Sequence, residues 1–168
     1  MKPMLLSSLL LAVLFVGAAI WRLKALPDSI SALVFLLERR WQWVWTLWLF
    51  AVALTLAPPL LDAMPDEWRF VGFLTVGSLL FVAAMPLVRH DENRAHYVLA
   101  VAAGVLSQLC VLVLCWPCLL LWGLMVVLLG KATLPDEQLP WWLDGKLTMV
   151  AECICAATVY ASVYLAIG

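Results

Sequence analysis

The chain has 168 residues, of which 66% are apolar and only 12% charged, and its net charge is −1. A soluble domain carries about 25% charged residues, so this composition excludes a water-exposed globular domain. It also excludes a nucleic-acid partner, because no basic patch lies outside short loops.

The pattern predicts an all-α fold, a polytopic transmembrane helix bundle in one domain over residues 1–168. Six spans are expected, with five as the alternative. The first covers about 4–21, since Met4–Trp21 holds no charge over about one bilayer-spanning length, roughly 20 residues. Lys2, the apolar stretch and Gly17-Ala18-Ala19 loosely fit a cleaved signal peptide, but the stretch is long for one and a permanent helix is expected. In the connection Arg22–Arg40, Asp28 follows Pro27 and is placed to cap a short helix over about 28–38. Ile30, Leu33, Val34 and Leu37 recur there at helical spacing, which reads as a helix lying on the membrane surface. The second span, about 41–61, opens with Trp41, Trp43, Trp45 and Trp48. Such residues anchor a helix at headgroup depth, with a ligand-binding aromatic wall as the alternative. The third span covers about 69–88.

Ala95–Gly130 runs 36 residues without a formal charge. As one helix it would measure about 54 Å, against a hydrocarbon core of about 30 Å. It must turn back, and Cys115-Trp116-Pro117-Cys118 is the place, because Pro117 removes a donor and disfavours a helical Trp116. Spans of about 94–114 and 117–134 follow; one long kinked helix would reduce the count to five. The interfacial turn Leu134–Trp142 then leads to the last span, about 147–167. With six spans, Arg22, Lys24, Arg39, Arg40, Arg89, Arg94, Lys131 and Lys146 share one face, and only Lys2 and Arg69 the other. That bias makes the first face cytoplasmic and puts both termini outside.

Few residues carry chemistry. Glu152 lies roughly 8–10 Å inside the last span, where a carboxylate costs a few kcal/mol unless paired, neutralised or wet. It reads either as a proton, cation or substrate site or as a structural hydrogen bond to a neighbouring helix. His96 opens the fourth span on the same side, after His90, Asp91 and Glu92 in the preceding loop, so these groups are expected to form a polar cluster with Glu152. The spacing matches no tight zinc pattern, and no metal or cofactor is expected. The small residues Ala100, Gly104 and Ser107 face a second stripe of Ala151, Cys155, Thr158 and Ser162. This predicts that the fourth and sixth spans are neighbours, with the deep Gln108 bonding across them. Cys115 and Cys118 have the C-x-x-C spacing of redox dithiols, which invites comparison with membrane disulfide-forming enzymes that pass electrons to quinone. The other cysteines, Cys110, Cys153 and Cys155, supply no second pair on that side, and cysteine is also an ordinary packing residue.

Phe70–Gln108 resembles small bacterial membrane proteins and, more distantly, the DRAM-like six-span superfamily. The likeness rests on Ala83-Ala84-Met85-Pro86 ending one span, His96 with Ala100 opening the next, and Pro27-Asp28-Ser29-Ile30-Ser31 in the first loop. It implies six spans and a bacterial cytoplasmic (inner) membrane, without an agreed chemistry. Eukaryotic members are usually drawn with termini inside, the opposite of the charge bias here.

The expected function is therefore non-enzymatic: binding or moving a small molecule, ion or lipid at a polar site formed by Glu152, His96 and Gln108. The alternatives are thiol–disulfide exchange at Cys115 and Cys118, or a structural role in a homo-oligomer or membrane complex. Membrane lipid is the expected partner in each case.

Overall fold

A computed structural model describes residues 1–24, 26–31, 33–88, 93–133 and 145–168. The elements among these are helical: α1 Lys2–Leu23, α2 Leu33–Leu36, α3 Gln42–Ala63, α4 Arg69–Val88, α5 Asn93–Cys115, α6 Gly123–Thr133 and α7 Leu147–Ala166. Short 3-10 turns occupy Arg39–Trp41 and Asp66–Trp68, and a longer one Trp116–Trp122. Five segments are long and apolar enough to cross a membrane: Lys2–Leu23, Arg39–Ala63, Asp66–Met85, Arg94–Ala132 and Leu147–Ala166. In such a setting only an element that satisfies its own backbone is tolerable, which selects helix.

Proline places the main interruptions. Met64 is extended (φ −72°, ψ 134°) because Pro65 excludes the helical conformation from it, so α3 stops there. Pro117 acts differently from expectation. The backbone breaks at Cys115 (φ −160°, ψ 78°), and Pro117 sits in the first turn of the following 3-10 helix, where its missing N–H costs nothing. The segment 93–133 is not one rod. Trp122 Nε1 donates to Gln108 Oε1 at 2.9 Å, whereas a straight helix would hold those residues about 21 Å apart. The chain reverses at the Cys-Trp-Pro-Cys element.

α1 packs on α3, α3 on α4, α4 on α5 and α5 on α7, and a lighter contact of α1 with α7 completes a ring. α6 lies outside the ring against α7. Lys2 Nζ stands 5.1 Å over the Tyr164 ring, while Asp28 and Lys146 pair at the opposite end. Both termini therefore share one end of the bundle. Buried polar groups stitch the ring from inside. Ser8 Oγ donates to Val52 O at 2.9 Å, so the Tyr160 hydroxyl, 2.7 Å away, donates to Ser8. Thr46 Oγ1 donates to Ala83 O at 2.9 Å. Such links, with close packing, hold helices together where lipid cancels the hydrophobic drive. The small-residue stripes of α5 and α7 do face each other: a Cβ on Gly104 would lie 3.9 Å from Cys155 Sγ.

Two sequence expectations change. Among the described residues of 28–38 only Leu33–Leu36 is α-helical, and Leu33 and Val34 are buried rather than laid on a surface. Asp28 caps no helix of its own, for its side chain pairs with Lys146 and its carbonyl accepts from Met149 N. The four tryptophans also divide. Trp41 and Trp43 are exposed, but Trp45 is fully buried and Trp48 stacks on Phe15, with centroids 4.2 Å apart and its Nε1 donating to Leu11 O.

Candidate functional site

The unusual feature is the second turn of α7, where half-buried Glu152 meets the backbone of loop 26–31. Ser29 Oγ donates to Glu152 Oε1 at 2.8 Å. The Ile30 N–H donates to Oε2, and the Ser31 N–H lies 3.3 Å from both oxygens. Successive N–H groups converging on a carboxylate form an anion-binding nest, and hydrogen bonds to a charged acceptor are the strong kind. The described residues 26–31 of this loop are not helical, and α2 begins at Leu33.

The contact is reciprocal. Met149 N, one of the unpaired donors in the first turn of α7, donates to Asp28 O at 3.0 Å. The Asp28 carboxylate pairs with the Lys146 ammonium just before the helix. The loop thus caps α7 while α7 supplies the acid that holds the loop.

His96 secures the other side. It is 3% exposed, and its Nε2 lies 3.0 Å from Ser31 O. A carbonyl only accepts, so Nε2 carries the proton and Nδ1 is left as an acceptor. Nδ1 has no partner among the described residues, and neither does the indole N–H of Trp45 nearby, whose ring centroid is 6.0 Å from the imidazole. Phe35 packs edge-on to the imidazole at 5.2 Å. Ser31 is accordingly gripped through its N–H by α7 and through its C=O by α5.

Inside the ring lies a cavity of about 240 Å³. Ile30, Ser31 and Glu152 line one end of it, with Trp45, Trp48 and Val52 of α3, Ala100 and Ala103 of α5, and Cys155 of α7 among its walls. Apart from the Trp45 indole, its polar side chains are already engaged. Thr75 Oγ1 donates to Val71 O, Ser107 Oγ to Gly104 O, and Tyr160 to Ser8.

The expected triad is only partly assembled. Glu152 and His96 converge on one loop, but His96 does not line the cavity. Gln108 belongs to a separate knot. Its Oε1 accepts from Trp122 Nε1 at 2.9 Å and Thr158 Oγ1 at 3.1 Å, and its Nε2 donates to Ser107 Oγ and, at 3.5 Å, to Cys155 O. That joins α5, α7 and the reversed segment, and spends the amide completely. His90, Asp91 and Glu92, expected beside His96, and the turn Leu134–Trp142 lie outside the described residues, apart from their sequence. Among the described residues no three His, Cys, Asp or Glu side chains gather as metal ligands would.

All five cysteines are free thiols. Cys115 and Cys118 are both half-buried at the reversal, beside Trp116, which is 63% exposed. Cys110 is buried against Thr75, Cys153 is exposed, and Cys155 faces the cavity.

The loop itself was the missed participant. Ile30 and Ser31 act through backbone atoms, which no side-chain pattern advertises; only the acid's cost signalled that some donor set must exist. Searches with protein-family models, curated proteins and solved structures return no match to this chain.

Glu152→Gln keeps the side chain's shape and loses its charge, and is expected to lower stability by about 1–2 kcal/mol; Glu152→Ala strands the loop donors and is expected to cost about 3 kcal/mol. Unfolding in mild detergent, followed by circular dichroism, measures both. Unchanged stability in the two variants would contradict the grip described here.

Proposed function

We propose that this chain is a non-enzymatic, six-crossing protein of a bacterial cytoplasmic membrane that binds a small, mainly apolar molecule in the cavity lined by its helix ring. The supporting observation is the pairing of that cavity with a polar lining whose hydrogen bonds, the Trp45 indole apart, are already made. An ion needs several uncommitted oxygens, and Glu152, the one acid there, is occupied by the loop. An apolar ligand needs none. Glu152 and His96 then act on the ligand indirectly, by holding Ile30 and Ser31 across the end of its site, and Gln108 by fixing the far wall.

Six crossings, with termini outside, are part of this reading, supported by the reversal at Cys115, the shared end of the two termini and the eight basic residues that six spans put on one face. Kinship with DRAM-like proteins is part of this reading and rests on Phe70–Gln108 and Pro27–Ser31 alone.

A second reading, thiol–disulfide exchange, is favoured by the free thiols of Cys115 and Cys118 flanking the chain reversal. Mass-tag alkylation of whole cells, with and without prior reduction, separates the two. Thiols that stay reduced and unreactive from outside eliminate exchange; a reducible bond that forms between them revives it.

The cavity reading has a direct test in 1-bromooctane quenching of the tryptophan emission. Saturable quenching is expected in the parent, falling at least about fivefold in Ala103→Phe, where the added ring consumes the space that apolar burial would otherwise use. Quenching that is unsaturable and equal in both proteins would defeat the proposal.

A further inference from the structure

A second hollow, of about 310 Å³, opens between the C-terminal half of α1, α2 and the start of α3. Phe15, Ala19, Leu36 and Trp41 are among its apolar walls, and Arg22 and Glu38 are its two charged members. The charges are not equivalent. Glu38 Oε2 is held by Arg40 Nε at 2.7 Å, so its charge is matched. Arg22 has no ion pair or hydrogen bond of its side chain among the described residues, although it stands in the last turn of a helix whose dipole already favours a cation. Lys24 follows two residues later and Arg39 adjoins Glu38, and neither has an ion pair among the described residues. The exposed indoles of Trp21, at 83%, and Trp41 flank the same level. Amphipathic indoles beside cations mark the depth at which phospholipid headgroups lie.

An apolar trough ending in a guanidinium that has no ion pair among the described residues complements a lipid with a negative headgroup. We infer that this groove seats one anionic phospholipid, its phosphodiester against Arg22 and one acyl chain along the wall of Phe15, Ala19 and Leu36. A zwitterionic lipid offers the same chain but brings its own cation, which the surplus of positive charge repels. Arginine suits a phosphate better than lysine does, because its planar fork presents paired donors. The site is distinct from the central cavity, with which it shares no lining residue.

Binding of phosphatidylglycerol and of phosphatidylcholine with identical chains, measured by native mass spectrometry on the detergent-purified protein, tests the inference. The parent is expected to prefer the anionic lipid more than fivefold. Arg22→Gln should reduce that ratio by roughly fivefold, the worth of one cation at an anionic surface. Arg22→Lys should keep part of it, and Ala19→Trp, which fills the trough, should weaken both lipids. Ala103→Phe, in the other cavity, should leave the ratio alone. A parent ratio near one, a ratio indifferent to Arg22→Gln, or one that moves with Ala103→Phe instead would each overturn the assignment. So would equal competition by inorganic phosphate, which would make this a headgroup-only anion site.

Discussion

The grip of one carboxylate on one stretch of backbone organises the end of this bundle. An acid at the depth of Glu152 is costly, and the cost falls only when donors surround it. The donors come from Ser29, Ile30 and Ser31, so the loop after α1 must come to α7 and cannot drift as a tether. Once there, it gives Met149 a carbonyl and Lys146 a carboxylate, and Ser31 O finds His96 on α5. Three elements distant in sequence are locked by groups that would each be unsatisfied alone. That mutual need makes the arrangement cooperative.

The ring of helices explains why the locked end matters. Five helices packed side by side around a centre leave space that their Leu, Val and Ala side chains do not fill. A void of this kind forfeits dispersion contacts unless something apolar occupies it. The loop, through Ile30 and Ser31, is what lies across it at the Glu152 end. Rigidity at that end and an apolar interior beyond it are the two properties a selective binding site combines. At the other side of the loop, Leu33 and Leu36 also contribute to the groove beside Arg22, so the same segment shapes both hollows.

Much of the architecture was legible beforehand, because uncharged runs of bilayer length can be little else than helices. The reversal was legible too, from length alone: 36 uncharged residues do not fit one crossing. Glu152 and His96 stood out by type and depth, and Gln108 by its position opposite the small stripe of α7. What stayed hidden was the partner of Glu152, since peptide N–H groups are present at every residue and only conformation makes those of Ile30 and Ser31 converge. The surface helix over 28–38 failed although its helical spacing was real, because Ser29, Ile30 and Ser31 form a non-helical loop against Glu152 and Leu33 and Val34 are buried. Trp45 was expected with its neighbours at the headgroups. Composition could not show that an indole at that register turns into the ring, fully buried beside His96.

Hydrogen exchange of the Ile30 and Ser31 amides tests the grip of Glu152 most directly, because those two N–H groups are the bonds in question. In the parent they are expected to be protected, and in Glu152→Ala to exchange about ten- to a hundredfold faster, with the amides of α4 unchanged. Rapid exchange in the parent, or protection that survives the loss of the carboxylate, would contradict the account.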